Sequence, residues 1–124
     1  MVSACVDGRV ANTSNASEAW VGWETKYGDM CGDFSLLAEL TVAEVKQIGY
    51  LLLPSRFINK TPIDGLCGMT DEEGLGVSYC AIDAAVRGVG WRNESDKARI
   101  MQLHKNSRHK HEKMPTFTPY KEMW

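Results

Sequence analysis

The chain has 124 residues, the size of one domain and too few for two complete ones, so we expect a single domain or half-domain over residues 1–124. Its formal net charge of −2 gives no reason to expect a nucleic acid or an anionic membrane as a partner. No apolar stretch is long enough to span a bilayer, and the start of the chain lacks a signal-peptide pattern, which predicts a cytoplasmic protein.

The first elements predicted along the chain are a short strand and a short helix. A loose apolar alternation in residues 2–10 indicates a strand that ends at Asn12. Asn15 and Glu18 have the spacing of a capping box, in which each residue bonds the backbone N–H of the other. A helix over residues 16–23 follows from this pattern.

A glycine-containing loop follows the helix and completes a corner suited to anions. In residues 27–33, Gly28 and Gly32 are free to take positive φ and to bring backbone close to a ligand. Residues 12–18 and 25–29 combine a helix start, small hydroxyl side chains, a lysine and acids. Such groups suit a nucleotide phosphate with its Mg²⁺.

The middle of the chain predicts a second helix and then a long connection. Thr41 and Glu44 form another capping box, and the helical period continues until Pro54 ends it. Residues 54–69 carry prolines and glycines, which suits either a mobile active-site flap or, more commonly, a plain surface loop.

The last part of the chain predicts three helical segments and a tail. A helical turn begins at Thr70, Ser78 caps a helix that Gly88 closes, and a polar surface helix covers residues 95–109. We expect the tail to be extended and to be docked by its aromatic residues. The tail residues concerned are Pro115, Phe117, Pro119, Tyr120 and Trp124.

The four cysteines include no C-x-x-C pair, which argues against a zinc knuckle and a thioredoxin-type redox pair. We expect reduced, structural thiols at Cys5, Cys31, Cys67 and Cys80. The inventory of elements is rich in helices and poor in strands. It fits either a small helical domain or the helix-rich end of an α/β domain whose other strands lie elsewhere.

Five segments together resemble motifs of the ammonia-dependent NAD⁺ synthetases, a family of the adenine-nucleotide α-hydrolase, Rossmann-like superfamily. The motifs and their positions are G-T-x-x-x-x-E at 12–18, T-K-Y-G-D-x-x-x-D at 25–33, K-x-P-[ST] at 60–63, [TS]-D-E-x-x-L-G-x-[ST]-Y at 70–79 and H-K-R at 109–111. Each match is weak alone, but five in order with similar spacing are strong. The resemblance covers nearly the whole chain and implies an α/β fold, the helix-rich C-terminal half of a Rossmann-like domain with few strands and an extended aromatic tail.

The resemblance also implies a reaction and its participants. The family condenses deamido-NAD with ammonia: the nicotinate carboxylate attacks the α-phosphate of ATP, pyrophosphate leaves, and ammonia then displaces AMP. The implied cofactors are ATP and Mg²⁺. The implied site residues are Thr13 for ATP, Glu18 for Mg²⁺, Lys26, Asp33, His109 and Lys110 for deamido-NAD, and Asp71 as the catalytic residue that follows a flap over residues 58–70.

Each of these residues also has a purely structural interpretation. Glu18 is able to serve only as a helix cap, and Asp71 only as part of its own helix start. Lys26 and Asp33 are able to form an ordinary surface pair of little energetic value. The basic run at 104–113 is able to complement a helix dipole and stay solvated.

Two of the expected ATP contacts are apolar in this sequence. A phosphate-contacting lysine is replaced by Val42, and the threonine or serine of K-x-P-[ST] is replaced by Ile63. The first change removes a cation beside the phosphates, and Lys46, one helical turn on, is a candidate substitute.

These 124 residues contain no S-G-G-x-D-S pyrophosphate loop. A sheet half alone exposes apolar faces and unpaired edges, so we expect a partner chain that supplies the N-terminal half, or self-association as a dimer. Three functions are consistent with this: part of a complemented NAD⁺ synthetase, a non-catalytic dinucleotide-binding or dimerising relative, and a remnant without a ligand.

Overall fold

The computed structural model describes residues 2–63 and 65–117. Helices dominate this part of the chain. The elements in chain order are α1 Val2–Cys5, β1 Ala11–Asn12, α2 Ala16–Val21, β2 Phe34–Ser35, α3 Val42–Leu52, α4 Ser55–Ile58, α5 Asp71–Leu75, α6 Tyr79–Val86 and α7 Glu94–His111.

The two strands form a small parallel sheet. Ala11 pairs with Phe34 and Asn12 with Ser35, and the loop after α2 returns the chain to this sheet. Gly32 lies against β1 so closely that a β-carbon there would sit 2.7 Å from the backbone N of Asn12. A glycine is therefore needed at this position for close packing of backbone on backbone. The parallel sheet among the helices confirms the α/β class predicted from the sequence.

The hydrophobic core lies where α2, α6 and α7 meet. Leu75, Ile82 and Ile100 have no exposed surface, and they come from α5, α6 and α7. On α6 the predicted apolar face is confirmed, since Tyr79 and Ile82 are buried and Val86 is half-buried. This core fixes α2, which carries Glu18, relative to α7.

Local capping signals set the helix starts, as predicted. In α2, α3 and α5 the cap side chain accepts from the third helical N–H and the glutamate at that position accepts from the cap N–H. The three cap and glutamate pairs are Asn15 with Glu18, Thr41 with Glu44, and Thr70 with Glu73. Ser78 caps α6 as predicted.

The N-terminal prediction is only partly correct. The strand ends at Asn12 as expected, but Val2–Cys5 form a helical turn instead of extending it. Helix α2 stops at Val21, two residues earlier than predicted, because Gly22 adopts a left-handed φ of 68°.

The glycine and loop predictions also need correction. Positive φ occurs at other described glycines and not at Gly28 or Gly32. The connection after Pro54 contains a helical turn, α4, and an isolated antiparallel bridge between Ile63 and Thr70. The segment before α5 is therefore partly ordered by backbone pairing.

The tail and the cysteines differ from expectation. Phe117 is 90% exposed, so this aromatic side chain is not docked on the chain. The other aromatic residues predicted to dock, Tyr120 and Trp124, lie outside the described residues together with Pro119. All four cysteines are exposed, so none fills the core as a structural thiol would.

One stretch of the surface is unusually apolar. The side chains concerned follow one another at the end of α3 and in α4: Tyr50, Leu51, Leu52, Leu53 and Phe57. More than half of each is exposed, and Leu51 reaches 84%. We call this group the α3–α4 apolar segment. Within the part of the chain that is described, no helix has the length and hydropathy needed to cross a membrane.

Candidate functional site

A groove of about 730 Å³ runs between the end of α2, the loop that follows it and α7. Four of the seven residues predicted for the site line it, namely Thr13, Glu18, Asp71 and Lys110. They come from four different segments of the chain. The fold thus brings together residues that are up to 97 positions apart in the sequence, from Thr13 to Lys110.

Glu18 combines a structural contact with an available oxygen. Its Oε2 accepts a hydrogen bond from the backbone N of Asn15 at 2.9 Å, so the capping role is confirmed. Its Oε1 makes no hydrogen bond to any described residue. Burial raises the pKa of Glu18, and the negative charges of Asp71 and Glu24 add to this, while the bond to Asn15 opposes it. A bound cation would relieve the cost of keeping this carboxylate ionised.

Asp71 is buried with one oxygen unused. Its Oδ2 accepts from the hydroxyl of Tyr79 at 3.1 Å, whereas its Oδ1 is buried without a hydrogen-bond partner among the described residues. Thr70 and Glu73 supply the helix cap, so the side chain of Asp71 is not needed for it. Burial, followed by the charges of Asp71 and Glu18, raises the pKa of Tyr79, which keeps the phenol protonated as the donor.

The carboxylate of Glu18 fits Mg²⁺. The described residues hold no cluster of three or more acidic, histidine or cysteine side chains of the kind that builds an all-protein metal cage. Mg²⁺ is commonly held by one or two carboxylates together with water and substrate phosphates. Glu18 Oε1, which has no hydrogen-bond partner among the described residues, is the oxygen predicted for the metal, and a single carboxylate of this kind suits a metal that arrives with a nucleotide.

Lys110 closes one side of the groove while holding the end of α2. Its Nζ donates to the carbonyls of Gly22 at 2.8 Å and Glu24 at 2.6 Å. Because an ammonium group has three donors, one remains for a ligand. His111 Nε2 lies 3.0 Å from the carbonyl of Ala19, so two side chains of α7 contact the end of α2, and the ammonium group of Lys110 complements the negative end of that helix.

The basic run at the end of α7 thus has a role that was not predicted, since its side chains contact the end of a different helix, α2, as well as lying at the end of their own. His104 belongs to the same arrangement. Its Nδ1 lies 2.9 Å from the carbonyl of Trp20, and its ring stacks on the Trp20 ring at 4.2 Å between centroids. Sequence spacing gives no signal for these contacts, which join residues 84 or more positions apart.

Three predicted site residues do not line the groove. Lys26 Nζ donates to the carbonyls of His109 and Glu112, the latter at 3.1 Å, and so caps the end of α7. Asp33 Oδ2 accepts from the backbone N of Val10 at 2.7 Å, beside the sheet. His109 is exposed, and its Nδ1 lies 3.0 Å from the carbonyl of Asn106. Lys26 and Asp33 do not form the surface pair considered above, and the roles of all three with deamido-NAD remain predictions.

The groove also contains residues that were not singled out. Glu24 is buried at its edge, with Oε1 3.1 Å from Nε2 of His111, although that nitrogen is aligned on the carbonyl of Ala19 instead. Trp23 lines the groove and packs against the core. A buried acid just after a helix would have been recognisable only from its long-range partners.

Comparison with protein families gives a match over nearly the whole chain. The model of the NAD synthase family matches residues 2–122. An NH(3)-dependent NAD(+) synthetase of Malacoplasma penetrans is 45% identical over 103 residues, which are 82% of this chain and 42% of the relative. One from Archaeoglobus fulgidus is 42% identical over 111 residues, 86% of this chain and 45% of the relative. The chain therefore spans less than half the length of these curated relatives.

Solved structures agree with this. An NMN synthetase from Francisella tularensis matches 93% of this chain and 49% of its own, with a TM-score of 0.87 and 33% identity. An NH3-dependent NAD synthetase from Campylobacter jejuni, in complex with a nitrate ion, matches 94% of this chain and 48% of its own, with a TM-score of 0.64 and 25% identity. Family model, sequence relatives and fold agree, and the chain belongs to the NAD synthase family.

Proposed function

We propose that this chain provides the C-terminal part of an ammonia-dependent NAD⁺ synthetase, which amidates deamido-NAD at the expense of ATP. The observation that carries the proposal is the convergence of Thr13, Glu18, Asp71 and Lys110 on one groove. Family membership supplies the reaction class.

These residues suit the negative charges of the two reactants. The nicotinate carboxylate attacks the α-phosphate of ATP, the bond to pyrophosphate breaks, and an acyl-adenylate forms. Ammonia then attacks the acyl carbon, loses a proton and expels AMP. Since both reactants of the first step are anions, Lys110 supplies positive charge and the Thr13 hydroxyl supplies a hydrogen bond. Mg²⁺ held by Glu18 would neutralise phosphate charge.

Asp71 is suited to the second step. Its Oδ1 is desolvated and has no internal partner among the described residues, so it is available to accept a proton from the attacking nitrogen. A buried base also works best where water is excluded, because water would hydrolyse the adenylate. The segment over residues 58–70, which the resemblance identifies with a flap, leads directly into Asp71.

The pyrophosphate loop must come from polypeptide outside these 124 residues. Within the described residues, no further strand pairs with the two-stranded sheet, and the α3–α4 apolar segment is exposed, which supports docking of further polypeptide. The proposed source is an N-terminal synthetase half in the cytoplasm, with self-association as a dimer as the alternative.

The test is complementation. The purified chain is assayed for ATP-dependent amidation of deamido-NAD, alone and mixed with an N-terminal half that carries S-G-G-x-D-S. We expect no turnover alone and turnover in the mixture. In the mixture, Glu18→Gln should reduce kcat at least tenfold, because glutamine keeps the cap but removes the charge that binds the cation.

Glu73→Gln is the matched control, since Glu73 holds the same capping-box position in α5 but lies outside the groove. It should leave turnover near the wild-type rate. Turnover by the chain alone, or equal activity of Glu18→Gln and wild type, would contradict the proposal.

A second candidate is amidation of a mononucleotide. The Francisella protein with the TM-score of 0.87 is named an NMN synthetase, and three residues predicted to hold deamido-NAD lie outside the groove. Nicotinate mononucleotide is therefore assayed beside deamido-NAD in the mixture, and a higher kcat/KM for the mononucleotide would establish this alternative.

A non-catalytic relative is the third possibility, favoured by Val42 and Ile63 at expected ATP contacts. It predicts heat on titration with deamido-NAD and no turnover in the mixture. Absence of both signals would point to a remnant without a ligand.

A further inference from the structure

A second, smaller concavity lies on the other side of Glu18. Its volume is about 220 Å³, and it is lined by residues of α2, α3, α4 and α6 together with Lys60 and Pro62. Glu18 lines both this pocket and the larger groove, so the two spaces meet at that carboxylate. A ligand that spans the two would pass the oxygen proposed to hold Mg²⁺.

The charges in this pocket come from two lysines. Lys46 of α3 and Lys60 both line it, and neither makes an ion pair or hydrogen bond to any described residue. Lys46 is half-buried, so its ammonium group is held near the pocket by the packing of its stem. Two uncompensated cations beside one carboxylate favour an anion that brings more than one negative charge.

The start of α3 is unable to hold that anion. Its first backbone N–H groups already have internal acceptors: Val42 N donates to Ser17 Oγ at 3.2 Å, and Ala43 N donates to a carboxylate, Asp83 Oδ2, at 2.9 Å. Ser17 Oγ in turn donates to Asp83 Oδ1 at 2.5 Å. Because the helix terminus is neutralised from within, positive charge for a ligand has to come from side chains.

The position of Lys46 matches that need. Lys46 stands four residues after Val42, on the same face of α3, and both residues line the pocket. A lysine at 46 is thus directed at space that position 42 also borders. The apolar Val42 leaves this space without charge of its own, and Lys46 supplies it.

The pocket is too small for a whole nucleotide. Sites for ligands of drug size have about 300–1,000 Å³. A volume of about 220 Å³ instead suits a fragment such as a diphosphate, with the rest of the ligand in the groove beyond Glu18.

We infer that Lys46, assisted by Lys60, binds the polyphosphate of a nucleotide in this pocket and replaces the charge that Val42 cannot provide. The inference rests on the proposed function for the identity of the ligand, ATP. The binding chemistry, a polyphosphate held by two lysines next to a cation-binding carboxylate, is tested without turnover.

The experiment is calorimetric titration of the 124-residue chain with pyrophosphate and with ATP, each with Mg²⁺, and with AMP. Lys46→Met, which keeps the stem and removes the charge, should weaken binding of pyrophosphate and ATP about tenfold, the usual scale for one charge-assisted contact. AMP should be affected much less. Lys105→Met, at an exposed lysine of α7, is the control and should bind as the wild type does.

A relocated charge gives the sharper result. Val42→Lys combined with Lys46→Met should recover most of the lost affinity, and Lys46→Arg should retain it, which a merely structural lysine would not produce. The inference fails if the wild-type chain binds neither pyrophosphate nor ATP, or if Lys46→Met binds both unchanged. If ATP binds as expected but the complementation assay shows no amidation, only the proposed function is overturned. If the assay shows amidation but ATP binding does not depend on Lys46, only this inference is overturned.

Discussion

At the scale of single residues, the site is marked by polar atoms that the fold buries but does not satisfy. Most buried polar atoms in proteins have a hydrogen-bond partner, and an exception costs stability. Asp71 Oδ1 is such an exception, whereas Oδ2 of the same carboxylate is paired with Tyr79. Glu18 lies close enough for the charge of Asp71 to raise its pKa. Two carboxylates kept together without an internal cation are better suited to a ligand than to stability.

We predict that Asp71→Asn stabilises the unliganded chain by about 1 kcal/mol, because the substitution removes a buried negative charge that acts on Glu18. Asparagine keeps an oxygen for the Tyr79 hydroxyl and removes the charge. The pKa of Glu18, followed by NMR, should fall towards its ordinary value because one of the charges that raise it is gone. Urea unfolding measures the stability, with Glu94→Gln at the surface as the control. A loss of stability would mean that the charge of Asp71 is compensated within the fold.

At the scale of elements, the sequence predicts helix starts better than helix contacts. Capping boxes involve residues three apart, so the starts at Asn15, Thr41 and Thr70 are visible in the sequence and are confirmed. The grip of α7 on the end of α2 depends on contacts such as that of Lys110 with Gly22, 88 positions apart. No local pattern encodes it.

The same limit explains which site residues sequence reasoning located. Thr13 and Glu18 flank a locally encoded helix start, and the fold places both in the groove. Lys26 and Asp33 follow in a loop whose path depends on the sheet and on the end of α7. The motif identifies Lys26 and Asp33 as candidate site residues, whereas the direction in which their side chains point depends on the tertiary contacts.

Substitution of Gly22 tests the contact between α2 and α7. It has a φ of 68°, and a β-carbon there would lie 2.0 Å from Cβ of Ser107 in α7. Gly88 has a nearly equal φ of 66° and nothing within 4 Å of the same built atom. Both therefore carry the left-handed strain of about 1 kcal/mol on mutation to alanine, but only Gly22 adds overpacking, typically about 1–3 kcal/mol.

We therefore predict that Gly22→Ala lowers the free energy of unfolding by about 3 kcal/mol and Gly88→Ala by about 1 kcal/mol, measured by urea denaturation. Gly22→Ala should also perturb the near-UV signal of Trp20, which stacks on His104 across the same contact. Equal losses in the two variants would show that α7 yields easily and that its packing on α2 does not fix the groove.

At the scale of the whole molecule, the chain has one well-formed core and one face that nothing in the described residues covers. The core joins α2, α6 and α7 and supports the groove. The α3–α4 apolar segment lies away from it and exposes more than half of every side chain. The relatives extend to more than twice the matched length, and the proposed N-terminal half is the candidate to cover this face.

This face should make the isolated chain associate. We predict that sedimentation velocity detects dimers or larger species of the wild type at micromolar concentration, and that Leu51→Lys with Leu52→Lys shifts the chain towards monomer, because two ammonium groups would have to be desolvated in the contact. Val89→Lys is the control, since Val89 is 81% exposed but lies outside the segment. The double variant should also lower the affinity for the N-terminal half in the complementation assay while leaving binding of pyrophosphate intact. If the double variant associates as the wild type does, another surface joins the copies. If it complements fully, the N-terminal half docks elsewhere, and the edge of the β1–β2 sheet, which no described strand covers, is the next surface to test.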